Sequence, residues 1–232
     1  MNKKTIKSAF IASLPIMAGY IVLGMGFGVL LNAKGYSYWW AILICVTVFS
    51  GTMQYVGVNL LASGASVLST VIMTLMVNAR HLFYGISMLK RYREMGWRKW
   101  YAFFGLTDET YSIVCVDPEL PKGVDRGDFN FLLTLMNHCY WIIGGFLGAF
   151  LASAVPFNSK GLDFSMTALF VAAFVEQWEK SGEHLPALLG LAVSFVCLLI
   201  FGADSFLIPS MIGISIGLFI LRKKIEGEKK ND

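Results

Sequence analysis

Charged residues are scarce in this sequence. Asp, Glu, Lys and Arg make up 15% of the 232 residues, whereas hydrophobic residues make up 56%. A soluble domain usually carries about a quarter charged residues. The longest polar connection, DPELPKGVDRGDF at 117–129, has the Pro and Gly content of a loop. The composition therefore excludes an ordinary soluble protein and favours a membrane protein.

The sequence also lacks the motifs of metal, redox and nucleotide chemistry. Its four cysteines lie singly inside apolar runs without CxxC spacing, and its three histidines show neither HxxxH nor HExxH spacing. We predict no disulfide, no metal site and no other cofactor. The absence of a P-loop excludes primary active transport by this chain alone.

Apolar runs near the length of a bilayer crossing, roughly 17–25 residues, recur along the chain. They lie at 8–31, 38–61, 67–89 and 131–155, less clearly at 100–116, and again within 162–221. We predict an all-α, polytopic integral membrane protein with about 7–8 transmembrane helices, forming one transmembrane domain over residues 1–232. A signal peptide is the alternative at the N-terminus, but the first run is too long for one and further runs follow.

Most of the net charge of +4 sits in three basic clusters, MNKKTIK, KRYREMGWRK and RKKIEGEKK. In a membrane protein such clusters mark cytoplasmic flanks and anchor lipid headgroups, so we predict no nucleic-acid site. The first two clusters share a side only if an even number of crossings separates them, yet three runs lie between. Either one run does not span or one cluster faces outward. The SGTMQ stretch at 50–54 makes the second run the best candidate for an irregular, broken helix.

The third run contains the polar stretch VNARHLFYGIS. Arg80 lies ten residues before Lys90, roughly 15 Å along a helix, which is too deep for easy snorkelling. It should therefore face protein or a water-filled cavity. We predict that Arg80, Asn78 and Tyr84 bind substrate, and that His81 carries protons because an imidazole titrates near neutral pH. The alternative is a structural ion pair between Arg80 and one of the acids of the next run.

Those acids are Asp108 and Glu109, in the stretch TDETYS. Adjacent side chains on a helix point about 100° apart, so both face the interior only if the cavity between helices is wide. One acid can pair with Arg80 while the other binds a proton, and we assign both to proton coupling. If this segment lies at the interface instead, both acids are simply solvated.

In the second run, Ser50 and Gln54 stand at i and i+4, and Gly51 allows the helix to unwind between them. Broken helices expose backbone N–H and C=O groups that can hold the charged ends of a zwitterion. We therefore predict that Ser50, Gly51 and Gln54 contact substrate. Hydrogen bonds between helices, beside a close-packed glycine, are the alternative.

Two further patterns concern the architecture. VFSGTMQYV at 48–56 and VAAFVEQWEK at 171–180 each end an apolar run with Gln followed by an aromatic residue, which suggests a weak internal duplication. Three glycine pairs have GxxxG spacing, for which helix packing is the favoured role. These pairs are Gly24/Gly28, Gly144/Gly148 and Gly213/Gly217.

Four motifs follow the PIMAGY and GMGFG stretches of the first run: FSGTMQY at 49–55, NARHLFYG at 78–85, TDETYS at 107–112 and GLDF at 161–164. In this combination and order the chain resembles, over nearly its whole length, the AzlC family, the large subunits of bacterial branched-chain amino acid exporters. Thr52 and Ala79 are minor departures from the family pattern.

The resemblance implies secondary export of leucine, isoleucine and valine, with methionine as a further candidate, across the bacterial inner membrane. It also implies a small membrane subunit of the AzlD type as partner. We expect protons to be the coupling ion. The residue roles above are assigned from side-chain chemistry and do not come from the resemblance.

Two other functions compete with transport. Ser50, His81 and Asp108 contain the residue types of an intramembrane hydrolase, although Arg80 beside the histidine disfavours the imidazolium that such catalysis forms. A membrane scaffold without catalytic or transport activity is the third possibility.

Overall fold

The computed structural model describes residues 2–116, 118–154, 184–202 and 206–228, together with Val171, Phe174, Val175, Trp178 and Glu179. All regular elements among them are helical, which confirms the all-α class. The GLDF motif and half of the segment 171–180 invoked for a duplication lie outside the described residues. The chain divides into two compact units, Met1–Ser165 and Met166–Asp232. That both belong to one transmembrane domain stays a prediction.

The first unit holds the described helices α1 to α8. They are α1 (Lys3–Ala33), α2 (Tyr38–Thr47), α3 (Gly51–Ser63), α4 (Val67–Val77), α5 (Ala79–Tyr92), α6 (Arg98–Phe104), α7 (Asp108–Cys115) and α8 (Arg126–Ala154), with a 3₁₀ turn at Arg93–Met95. The second unit contains α9 (Leu185–Phe201) and α10 (Leu207–Glu228).

Helices α1 and α8 are the long central pair of the first unit, and they run parallel. A Cβ atom on Gly24 would lie 2.9 Å from the Trp141 carbonyl oxygen, and one on Gly148 would lie 2.6 Å from the Met25 Cα. Only glycine permits this approach of the two backbones. The GxxxG pairs of these helices therefore serve packing, as predicted.

The glycine pair of the second unit has the same role. Cβ atoms on Gly213 and Gly217 of α10 would each lie 2.9 Å from side-chain atoms of α9, belonging to Val193 and Leu189 respectively. The sequence prediction of helix packing is confirmed here too.

Two helices among the described residues, α1 and α8, are long and apolar enough to cross a membrane. The pair α4 and α5, bent by 48° at Asn78, gives a third candidate if it forms one span. The number of crossings expected from the sequence therefore stays a prediction, whereas the expected broken helices are present.

The second apolar run, 38–61, forms a hairpin of α2 and α3 rather than one continuous helix. At the start of α2 the Tyr38 ring packs on Phe150 with centroids 6.0 Å apart, and at its end the Cys45 carbonyl lies 3.0 Å from His138 Nε2. Helix α3 then returns, since the Tyr55 hydroxyl donates to the Leu23 carbonyl at 2.6 Å. Helix α2 thus descends along α8 to its middle, and α3 goes back.

The break in this run lies at 48–50, slightly before the position expected from the sequence. Gly51 does not unwind the chain, because it is the first residue of α3. The Gln54 side chain instead stabilises the break by donating to the carbonyl of Val48, the C-cap residue of α2, and to the carbonyl of Ile44, which also accepts from the Val48 N–H.

A second hairpin, α6 and α7, enters from the opposite end of the first unit. Helix α6 rises along α8, with the Tyr101 hydroxyl 2.8 Å from His138 Nδ1. Helix α7 returns, and the carbonyl of Val114 near its end accepts a hydrogen bond from the Arg91 guanidinium. The run 100–116 therefore also turns back within the first unit.

The two hairpins resolve the conflict between the orientation signals. Ala9 near the start of α1 belongs to the same buried cluster as Met88, Tyr92 and Met95 at the end of α5. The first two basic clusters therefore lie at one end of the unit, separated by two passages, α1 and the bent pair α4–α5. Both can face the cytoplasm because the second run turns back.

The second basic cluster forms a groove with aromatic side chains at this end. The groove has a volume of about 410 Å³, and Lys90, Arg93 and Lys99 contribute its cationic groups beside Trp100 and Phe103. Cations beside amphipathic aromatic rings are typical of the headgroup level of a membrane. This geometry agrees with the anchoring role predicted from the sequence.

Candidate functional site

Three helix breaks of the first unit are connected by polar side chains. The Ser50 hydroxyl, just before α3, donates to Asn78 Oδ1 at 2.7 Å, in the bend between α4 and α5. Arg80 Nη2, in the first turn of α5, donates to Thr52 Oγ1 at 3.2 Å and pairs with Asp108 Oδ2, in the first turn of α7, at 3.0 Å. The N-terminal turns of α3, α5 and α7 therefore meet.

The local sequence explains why the helices begin there. Ser50 and Thr107 have extended backbones that end the preceding segment, and the Thr107 hydroxyl accepts from the Thr110 N–H as an N-cap. The two acids follow immediately, in the first turn of α7, where negative charge stabilises a helix. Each helix N-terminus carries a partial positive charge, about half an elementary charge, so the junction attracts anions.

The Arg80–Asp108 ion pair is half exposed. The two side chains retain 44% and 39% of their accessible surface, so the described residues do not enclose the guanidinium. Asp108 Oδ1 is buried and has no hydrogen-bond partner among the described residues. The Tyr84 hydroxyl also interacts with this carboxylate, so Arg80, Tyr84 and Asp108 form one polar cluster.

Tyr84 and His81 lie beside this pair on α5. The Tyr84 ring stacks on Tyr111 of α7 with centroids 4.3 Å apart, and the His81 imidazole meets the edge of Tyr84 at 5.8 Å. The structure therefore gathers Ser50, Asn78, Arg80, His81, Tyr84 and Asp108 into one region. We call these six residues the junction site.

Glu109 points away from Arg80, as adjacent positions on a helix require. Its Oε2 accepts from the Tyr20 hydroxyl of α1 at 2.6 Å. Asp108 is accordingly the acid that pairs with Arg80, a choice that the sequence left open. Glu109 is itself exposed, and its bond to Tyr20 connects it to a separate set of buried polar groups.

Gln54 and Gly51 lie outside the junction site. The Gln54 side chain is buried. Its Nε2 donates to the Val48 carbonyl at the end of α2, and its Oε1 accepts from Trp141 Nε1 at 2.7 Å. Gly51 lies against the Trp141 ring, and a Cβ atom added to it would be 2.9 Å from the nearest ring carbon. Both residues match the alternative of contacts between helices, and their predicted substrate role stays untested.

The arrangement around Gln54 leads to a prediction about stability. Replacing Gln54 with Leu should destabilise the protein by about 2–4 kcal/mol, because Trp141 Nε1 and the Val48 carbonyl lose their partners. Thermal unfolding in detergent would measure this loss. Replacing Ser63 with Leu serves as the control, because Ser63 is exposed at the end of the same helix and its hydroxyl bonds within its own turn. Equal stability of the two variants would contradict the role of Gln54.

Sequence reasoning missed a polar stripe on α8 and undervalued Thr52. Asn130, Thr134, Asn137 and Trp141 recur at helical spacing inside an apolar run, and all four are buried. This i, i+4, i+7, i+11 pattern was visible in the sequence and indicates an interior polar face. Thr52 was noted only as a departure from a family pattern, yet it contacts Arg80.

The chain matches known proteins over most of its length. The family model described as AzlC protein matches residues 15–155. The chain is 43% identical over 231 residues to the branched-chain amino acid transport protein AzlC of Bacillus subtilis, covering 97% of this chain and 91% of that protein. It is 38% identical to an uncharacterized membrane protein of Helicobacter pylori strain J99 (96% and 97% covered) and 26% identical to the inner membrane protein YgaZ of Escherichia coli (72% and 71% covered). No solved structure matches the chain.

Apolar helices, broken helices with polar tips and these relatives define a helical membrane protein with a transport role, not an enzyme. The chain belongs to the AzlC family, so the resemblance inferred from its motifs is confirmed.

Proposed function

We propose that this chain is a secondary transporter that exports leucine, isoleucine and valine, and also methionine, from the cytoplasm across the bacterial inner membrane. Export is coupled to the proton gradient and requires a small membrane subunit of the AzlD type. The substrate class is supported by the name of the Bacillus subtilis relative, a branched-chain amino acid transport protein. The coupling ion, the direction and the partner are our proposals.

The half-exposed Arg80–Asp108 pair is the observation that carries the proposal. A zwitterionic amino acid needs a cation for its carboxylate and an acceptor for its ammonium group. The Arg80 guanidinium supplies a planar set of donors, and the half-exposed Asp108 carboxylate supplies the acceptor. In this binding mode the substrate inserts its two charges beside an existing ion pair.

The surroundings of the pair suit the rest of the substrate. The N-terminal turns of α3 and α5, joined by Ser50 and Asn78, favour a carboxylate near Arg80. The stacked rings of Tyr84 and Tyr111 offer an apolar wall for a branched side chain. Such a combination of few polar groups and an apolar wall is typical of small-molecule sites.

A hydrolase using Ser50, His81 and Asp108 is not favoured by this geometry. The Ser50 hydroxyl donates to Asn78 rather than to an imidazole, and the Asp108 carboxylate is held by Arg80. The series of hydrogen bonds that a hydrolase needs, from Ser50 to His81 and from His81 to Asp108, is therefore not formed.

Counterflow in proteoliposomes tests the proposed function. Vesicles loaded with unlabelled leucine, containing the chain with its small subunit, should accumulate labelled leucine, isoleucine and valine but not serine, asparagine or lysine. Vesicles containing the chain alone should show little exchange. Absence of leucine exchange with both proteins present would refute the substrate, and equal exchange by the chain alone would refute the need for a partner.

A further inference from the structure

A chain of buried polar groups connects Glu109 to the middle of α8. The Tyr20 hydroxyl lies 2.6 Å from Glu109 Oε2 and 2.6 Å from Thr107 Oγ1. Thr107 Oγ1 donates to Thr110 Oγ1 at 3.1 Å, and Thr110 Oγ1 also accepts from Asn137 Nδ2 at 3.0 Å. We call Tyr20, Thr107, Thr110 and Asn137 the hydroxyl chain; they join α1, α7 and α8.

The hydroxyl chain ends at an amide that is only half satisfied. Asn137 has no exposed surface, and its Oδ1 has no hydrogen-bond partner among the described residues. The oxygen and nitrogen of an amide have nearly the same shape, so rotating the group by 180° exchanges a donor for an acceptor toward Thr110. One end of the amide therefore stays unpaired in either orientation.

The Tyr20 hydroxyl has one proton and two oxygen neighbours at the same short distance. It can donate to Glu109 or to Thr107, but not to both. Which contact receives the proton is decided by whether Glu109 already carries one. The hydroxyl chain consequently has two complete hydrogen-bonding patterns of opposite direction.

We propose that Glu109 carries the coupling proton and that the hydroxyl chain reverses its direction when Glu109 is protonated. With Glu109 ionised, Tyr20 donates to Glu109 and Asn137 to Thr110, while the Thr107 hydroxyl turns from Thr110 to Tyr20 and the Thr110 hydroxyl turns to Thr107. With Glu109 protonated, each bond runs the other way and the Asn137 amide turns its Oδ1 to Thr110. No proton is created or lost in the reversal except the one that Glu109 binds. This inference rests on the proposed proton-coupled transport.

The neighbouring charged groups favour Glu109 over the other candidates. Asp108 is held by Arg80, and His81 packs on an aromatic ring. Glu109 bonds to the Tyr20 hydroxyl of α1 and interacts electrostatically with His81 of α5, Asp108 precedes it on its own helix, and α8 contributes the uncharged Asn137 to the hydroxyl chain. Because the hydroxyl chain contacts three helices, reversing its hydrogen bonds at Glu109 also alters the bonding between α7 and α8.

Two assays separate this inference from the proposed function. Exchange of labelled leucine without an ion gradient requires substrate binding, whereas accumulation driven by an imposed pH gradient also requires proton coupling. Replacing Glu109 with Gln, a mimic of the protonated acid, should keep exchange within about threefold of the unmodified protein and reduce gradient-driven accumulation at least tenfold, which corresponds to about 1.4 kcal/mol or more.

The hydroxyl chain is tested by the pH at which gradient-driven transport is half-maximal. Replacing Tyr20 with Phe removes a donor to the ionised carboxylate, so protonation becomes easier and the midpoint should rise by about one pH unit. Replacing Thr110 with Val, which cuts the link to Asn137, should raise it by roughly half a unit. Matched controls are Tyr55→Phe, a buried tyrosine bonded to a backbone carbonyl, and Thr134→Val, a buried threonine bonded within α8; their midpoints should not move.

Each outcome has a defined meaning. If the unmodified protein exchanges no leucine, the proposed function fails. If exchange occurs but Glu109→Gln still accumulates leucine against a pH gradient, or loses exchange as well while remaining folded, the assignment of the proton to Glu109 is overturned. If the pH midpoints of Tyr20→Phe and Thr110→Val equal those of their controls, the reversal of the hydroxyl chain is overturned. Accumulation driven only by a sodium gradient overturns it as well.

Discussion

Replacing Arg80 with Lys should reduce leucine exchange at least tenfold and leave folded protein in the membrane. The guanidinium reaches both Thr52 and Asp108 from one nitrogen, at 3.2 and 3.0 Å, and its planar fork leaves further N–H groups for a substrate carboxylate. A lysine ammonium preserves the charge, but it cannot hold the pair and a bidentate carboxylate in the same plane. Counterflow, normalised to the amount of purified monodisperse protein, measures the effect.

The chain offers a matched control for this change. Arg98 of α6 pairs with Asp128 of α8, away from the junction site, so Arg98→Lys makes the same substitution in another arginine–aspartate pair. It should leave exchange intact. Normal exchange in Arg80→Lys would show that Arg80 does not bind the substrate. Loss of folded protein in Arg80→Lys but not in Arg98→Lys would support a purely structural ion pair.

Adding one methyl group at Gly148 should destabilise the first unit strongly. In Gly148→Ala the new Cβ would lie 2.6 Å from the Met25 Cα and 2.7 Å from its carbonyl carbon, and it would contact the carbonyl oxygen more closely still. These atoms belong to the backbone of α1, so no side chain can move aside. We expect a loss of about 3 kcal/mol or more, or roughly 6 °C or more in the melting temperature measured in detergent.

Gly19 provides the control for this prediction. It lies in α1, and a Cβ atom added there meets nothing within 4 Å. Gly19→Ala should therefore keep or slightly raise the melting temperature, because alanine favours a helix more than glycine does. Equal melting temperatures for the two variants would mean that α1 and α8 do not pack as closely as described.

The class of fold followed from the sequence, but the paths of two apolar runs did not. Hydropathy reports whether a segment tolerates lipid, and a hairpin that dips into the bundle is as apolar as a crossing. The break near Ser50 was foreseen from small and polar residues, whereas the bend at Asn78 has neither Pro nor Gly beside it. The hairpins became apparent only through contacts with α8, such as those of Tyr38 and Tyr101.

The candidate site was predicted in part for a similar reason. The cost of placing Arg80 and Asp108 in apolar runs singled them out without any knowledge of their neighbours. Gln54 looked equally promising by type, yet its amide is used by the break and by Trp141. Sequence spacing within one helix does not reveal which groups another helix already occupies. The long-range partners Tyr20 and Asn137 were therefore missed.

The depth of the hairpin tips has an electrical consequence. Glu109 contacts Tyr20, which lies near the middle of the 31-residue helix α1, so a charge on that carboxylate stands roughly halfway through the first unit. A proton that reaches it from either side then crosses only part of the transmembrane voltage, on the order of 1 kcal/mol per 100 mV. Membrane potential should consequently bias the occupancy of Glu109 less than it biases a complete transport cycle.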